Sequence, residues 1–303
     1  MHKSLQLLDV PKPATKRYSP REDPALIRWT LTLTAVFVVG LLIVVPVIYV
    51  FWQALSVGLR SYADNLWGNS DTRHAILLTL TVAPIAVLAN LVFGVAAAWT
   101  ISRFRFRGRT LLTALVDLPF AVSPVVAGLM LVLIFGMNGY LGPWLREHDI
   151  KIIFALPGLI LATMFVTLPF VARELTPVME AIGAEEEIAA VSLGAGGWQI
   201  FWRVTLPNIK WGLLYGVVLC NARAMGEYGA VYVVSGHYAG RDDTMPLRVE
   251  KLFQQYDMPA AYAVASVLTS LALVTLAAKT LLERKTRMDL AEAAAVRNVG
   301  GSR

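Results

Sequence analysis

The sequence predicts an all-α, polytopic membrane protein with six transmembrane helices and both termini in the cytosol, and three observations predict it. The first is composition. Of 303 residues, 56% are hydrophobic and 16% charged, and mean hydropathy is +0.59, far from the balance of a solvated domain. These values exclude an ordinary soluble enzyme and a disordered chain, and the lone cysteine, Cys220, excludes a disulfide scaffold. The second is a set of apolar stretches, each long enough to cross a core of ~30 Å with about 20 residues. They run from Trp29 to Phe51, Ala75 to Ile101, Leu111 to Met137, Ile152 to Ala172, Trp211 to Ser235 and Pro259 to Ala278. Barrel strands would be shorter and would alternate apolar with polar residues, so the stretches read as helices. The third is charge placement. With the first end inside, 19 of 27 basic residues fall on the cytosolic side, seven in the opposite loops, and Arg223 within a span, as the positive-inside rule requires.

Taken in order, residues 1–28 are polar, with Pro11, Pro13, Pro20 and Pro24 and six basic residues, and read as a flexible cytosolic tail rather than a cleavable signal. Residues 29–282 form the six-helix domain, interrupted by a cytosolic loop at 173–210, and residues 283–303 form a second cytosolic tail. Prolines at 46, 84, 119, 124, 157 and 169 each offer a kink, either a hinge or a purely structural bend. His2, His74, His148 and His237 are scattered, without a metal-ligand pattern, and no phosphate-binding GxxxxGK loop occurs. The chain is therefore expected to bind no metal and no ATP of its own. Cys220 reads as a small packing residue.

The loop at 173–210 carries helical signals. Thr176 is placed to cap a helix, with Pro177 at its first position, Glu180 in its first turn and Gly194 as its stop. A second helical piece is expected after Gly196 and Gly197, with Trp198, Phe201 and Trp202 at helical spacing, ending at Leu206-Pro207. On composition alone, a pair of amphipathic helices lying on the membrane surface accounts for this segment.

Three charges fall inside the spans: Asp117, Arg223 and Glu227. Arg223 lies 12 residues past Trp211, about 18 Å deep at ~1.5 Å per residue. Glu227 follows one turn later on the same face. The pair is expected either to neutralise itself internally or to mark the face that lines a pathway.

The loop also resembles the cytosolic signature of ABC importer permeases: Glu-Ala-Ala, three residues, Gly, nine residues, an aliphatic residue, one residue, then Leu-Pro. Ala189, Ala190, Gly194, Val204, Leu206 and Pro207 fit that spacing. The family's Glu is Ile188 here, directly after Glu187, so either Glu187 takes over the acidic contact or none is made. Near-continuous similarity to the sulfate/thiosulfate permeases, particularly the CysW type, runs from the first span to about Lys285. It rests on Asn90–Gly94, the Arg-rich turn at 103–109, Asp117–Gly128, Leu168–Glu174 and Asn221–Glu227. Molybdate and tungstate permeases resemble this group too. The resemblance implies a type I (MetI-like) permease in the bacterial inner membrane, in which the loop forms a coupling helix that docks on an ATPase. It also implies the partners: a second, homologous permease chain of the T type, two ATPase subunits that hold ATP and magnesium, and an extracytoplasmic sulfate- or thiosulfate-binding protein, with lipid around the spans and no nucleic acid. A proton-coupled anion carrier using Asp117 and Glu227 is the reading from a different class.

Overall fold

The computed structural model describes residues 25–300, with side chains for 26–282, so most of the segment read as an amino-terminal tail lies outside the described residues. The chain divides into two compact units, 1–49 and 50–303. The described residues contain helices and connections and no strand.

Helix α1, Leu26–Leu55, is 30 residues long and highly apolar, and none of its most hydropathic window is buried. Its middle is a five-residue π turn, Gly40–Val44, ending two residues before Pro46. Proline has no N–H to donate and its ring crowds the preceding turn, and a widened turn just upstream makes room for it.

The second unit is organised around α2 (Ser70–Arg103) and α6 (Leu156–Ile182), the most extensively packed helix pair. Asn69 caps α2, its side-chain oxygen accepting from the N–H groups of Asp71 and Thr72. The two helices are close to parallel. Leu78 and Val82 pack with Leu159 and Ala162 at one end, Asn90 donates to Thr167 and to the Met164 carbonyl in the middle, and Arg103 reaches the Met179 carbonyl at the other end. Gly94 lets them approach, because a Cβ there would stand 2.7 Å from the Val171 side chain.

Parallel neighbours oblige the chain between them to return to the starting side, and α3 (Arg109–Ala121) with α4 (Pro124–Phe135) makes that return. The two are bent by 109° across the break at residues 122–123. Pro119 and Pro124 bracket the break, and Pro124 opens α4 as a helix start. Val116 of α3 packs near the Arg103 end, with Ile101 and Ala172. Val132 and Phe135 of α4 pack into the cluster at the opposite end. The stretch read as one span from Leu111 to Met137 is thus two helices.

A short helix α5 (Gly142–Glu147) precedes α6, and α7 (Glu185–Ser192) follows it. Helix α8 (Leu206–Met225) then runs antiparallel to α6, with Gly212 beside Val178 and Cys220 beside Thr167. The span expected from Trp211 to Ser235 breaks at Gly226 and resumes as α9 (Gly229–Val234). Alone, α8 is not apolar enough for its length to qualify as a crossing; among the described residues four helices qualify, or five when α3 and α4 count as one span. Helix α10 (Met245–Gln254) buries Met245, Leu247 and Leu252, and α11 (Met258–Gly300) continues into the segment read as a carboxyl-terminal tail.

Candidate functional site

The segment between α6 and α8 differs from its sequence reading at both prolines. Helix α6 runs through Thr176 and Pro177 to Ile182, about 40 Å at ~1.5 Å per residue, so Thr176 caps nothing. Its hydroxyl instead donates to the Ala172 carbonyl one turn back. Glu180 lies in the last turn of α6 and pairs with Arg109 at 2.6 Å. Pro207 does not end a helix either. The π turn Phe201–Thr205 stops two residues before it and joins the short helix Gly197–Ile200 to α8 without a break. As at Pro46, the widened turn accommodates a proline that a regular helix would reject.

Between α6 and α8 lies α7, which buries no residue of its own. It ends in a Schellman motif, in which the Gly194 N–H donates to the Val191 carbonyl and the Ala195 N–H to the Ala190 carbonyl. Gly194 holds φ +85°, with open space where a Cβ would point, so the stop read from the sequence is one only glycine makes without strain. One face of α7 looks outward: Ile188 is 62% exposed, and Val191, Leu193 and Trp198 are exposed beside it. Ala189 is exposed and Ala190 half-buried.

The opposite face of α7 is tied down. Glu187 accepts from Arg103 at both carboxylate oxygens, 2.9 Å from Nε and 3.2 Å from Nη2, and its Oε1 also accepts from the Thr205 hydroxyl at 2.8 Å. Arg103 spends its remaining reach on the Met179 carbonyl at 2.8 Å. Both side chains are largely buried, at 10% and 15% exposure. Next to them, Asn208 donates to Glu186 at 2.5 Å.

The charges read inside the spans divide into two pairs. Asp117 meets Arg173 at 3.3 Å, and the Arg173 guanidinium lies over the Phe120 ring. Arg173 lies within α6 rather than at the start of a loop. Arg223 and Glu227 stand 2.7 Å apart, with Arg223 a third exposed and Glu227 buried. They do not share one helix. Arg223 sits in the last turn of α8 and Glu227 beyond the break, where its Oε1 accepts from the Ala230 N–H in the first turn of α9. A cation at a helix C-terminus and an anion at an N-terminus each offset the local partial charge. The depth of about 18 Å expected for Arg223 assumed a helix starting at Trp211, whereas α8 is already helical from Leu206 and Arg223 lies in its last turn.

Comparison with known proteins bears directly on this arrangement. Residues 90–288 match the family model described as binding-protein-dependent transport system inner membrane component. The chain belongs to that permease family. Among curated relatives of this permease, the sulfate transport system permease protein CysW of Synechococcus elongatus is 52% identical over 266 residues, covering 88% of this chain and 93% of the relative. The sulfate transport system permease protein CysT of Escherichia coli is 39% identical, covering 82% and 90%. Among solved structures, a bacterial alginate ABC transporter in complex with a pentasaccharide-bound periplasmic protein superimposes with a TM-score of 0.68 at 18% identity, covering 87% of the permease and 94% of that chain. The likeness establishes the fold as that of an ABC importer permease. The permease is a multi-pass membrane protein and a transport component rather than an enzyme.

Sequence reasoning singled out Glu187, Ala189, Ala190, Gly194, Leu206 and Pro207, and the permease brings all but Pro207 to the junction of α7 with the ends of α6 and α8 or into the stop of α7 itself. It missed Arg103 and Thr205 as Glu187's partners and Arg173 as the partner of Asp117. Their separations of 84, 18 and 56 residues leave no local pattern to find.

Proposed function

We propose that this chain is the membrane-embedded subunit of an ATP-driven importer of sulfate, with thiosulfate as a second substrate, in the bacterial inner membrane. One observation carries the reading: identity above half, over nearly the full length, to a relative named as a sulfate transport permease. That name also favours sulfate over molybdate or tungstate, and family membership sets a proton-coupled carrier aside.

In this reading α7 is the coupling helix, and its exposed apolar face of Ile188, Val191 and Leu193 docks on a separate ATPase subunit that holds ATP and magnesium. Two such ATPases serve a pair of permease chains, the second being a T-type homologue, and an extracytoplasmic binding protein delivers the anion. The chain crosses the membrane six times, with α3/α4 and α8/α9 each counted as one broken crossing. The parallel course of α2 and α6 supports this, because the bent pair must span the distance between their opposite ends. The amino terminus, the turn at 103–109, α7 and the carboxyl terminus then lie in the cytosol.

The test is uptake of radiolabelled sulfate into proteoliposomes holding the assembled complex. Uptake should require ATP and the binding protein, survive collapse of the proton gradient, and be competed by thiosulfate more strongly than by molybdate. Uptake that follows the proton gradient without ATP would overturn the mechanism, and preferential competition by molybdate would overturn the substrate.

A further inference from the structure

The geometry points to Glu187 as an internal latch rather than a contact with another subunit: with Arg103, Thr205 and the Met179 carbonyl it locks α7 to the ends of α2, α6 and α8. This inference rests on the reading of α7 as the coupling helix and says how its motion reaches the spans. Four chain segments meet at one buried ion pair. Arg103 is the last residue of α2, Met179 lies in the last turn of α6, Glu187 is in α7, and Thr205 immediately precedes α8.

The stereochemistry suits a rigid joint. A guanidinium is planar and presents a fixed fork of donors, so a carboxylate held at both oxygens cannot swivel about the contact as it would against a lysine. The Arg103 fork meets Glu187 with Nε and Nη2 and keeps Nη1 for the Met179 carbonyl, which fixes its plane in two directions. The Thr205 hydroxyl adds a third donor to Glu187, from the chain entering α8. Without the latch, the one side-chain tie described from α7 to the bundle would be the hydrogen bond from Asn208 to Glu186. The helix buries no residue of its own.

The latch also divides the faces of α7 by chemistry. Of the three glutamates that open α7, Glu187 is turned inward and saturated, Glu185 and Glu186 stay exposed, and the position after Glu187, exposed to an incoming subunit, is Ile188. Glu187 is thus a positioning residue, and the surface offered outward at this point is apolar.

The experiment uses the full complex in proteoliposomes and reads three quantities: ATPase retained on purification, ATP hydrolysis, and sulfate imported per ATP. With Glu187→Gln, the ATPase should remain bound, because the outward face is unchanged, while sulfate imported per ATP should fall by roughly tenfold or more, the buried guanidinium having lost its anion. Arg103→Lys should be intermediate, since an ammonium cannot hold both oxygens and the Met179 carbonyl together. The exchange Arg103→Glu with Glu187→Arg should recover part of the ratio. Wild-type coupling in Glu187→Gln would overturn the latch. So would loss of the ATPase in Glu187→Gln but not in Arg103→Gln, which would make Glu187 a contact with the ATPase. If Glu187→Gln is not recovered as folded protein, the exchanged pair decides: recovery with restored coupling supports the latch and failure overturns it. Separately, Val191→Asp, on the same exposed face, that still retained the ATPase would sink the coupling-helix reading itself, whatever Glu187→Gln showed.

Discussion

Arg223 and Glu227 stand 2.7 Å apart across a break between two helices, one closing α8 and the other opening α9. The contact is made by charge and proximity rather than by an aligned hydrogen bond, since the Glu227 Oε2 has no hydrogen-bond donor. The pair therefore acts as a clasp on a discontinuous helix, and its halves are not equivalent.

A double-mutant cycle should show that asymmetry. Arg223→Ala leaves a buried carboxylate without its cation and should cost about 3 kcal/mol. Glu227→Ala leaves a cation that is a third exposed and can turn toward polar surroundings, so its cost should be smaller, about 1–2 kcal/mol, much of it the lost bond to the Ala230 N–H. The double variant should cost less than the sum. Thermal unfolding in detergent measures all three, and simple additivity would mean that the two charges do not interact.

Gly194 separates backbone strain from docking. Gly194→Ala should cost about 1 kcal/mol, the penalty for a side chain at positive φ, and leave ATPase association close to wild type. A Cβ at Gly194 has no atom of the chain within 4 Å, so Gly194→Trp should insert and fold about as well as the alanine variant yet lose the ATPase on co-purification. Equal retention by both variants would show that nothing docks beside Ala189 and Ala190.

Gly94 tests the central helix pair. Adding a Cβ 2.7 Å from Val171 forces α2 and α6 apart, and Gly94→Val should lower stability by about 1–3 kcal/mol through overpacking. A melting temperature unchanged in detergent would show that the two helices are not in contact at this point.

Topology can be read with the native protein as background, because its only cysteine, Cys220, is fully buried. Tyr238→Cys, at an exposed position, should react with an impermeant thiol reagent added outside, and Ser192→Cys only after the cytosolic face is opened. The reverse pattern would invert the orientation.

Hydropathy was a sufficient guide where a helix is long, apolar and unbroken, as in α1, α2, α6 and α11. It failed at residues 122–123 and 226–228, because an apolar stretch carries the same hydropathy whether its backbone is straight or bent. Pro177 and Pro207 were read as boundaries from local rules, yet packing along α6 and the π turn at 201–205 carry the helices through them. The stop at Gly194 and the proximity of Arg223 to Glu227 were legible, since each depends on neighbours within a few residues. The partners of Glu187 and Asp117 were not, because they come from other helices and only the packed fold brings them together.

The parallel course of α2 and α6 also dictates an order of events during synthesis. Asn90 is completely buried, and its amide donates to Thr167, 77 residues further along the chain. At about 5–20 residues per second, α2 waits on the order of 4–15 s before α6 emerges to meet it. Throughout that interval a polar side chain in the middle of an apolar helix lacks its final partner, so α2 needs shelter from lipid, in the insertion machinery or against nascent α3, until α6 arrives. The bundle cannot close in the order in which it is made.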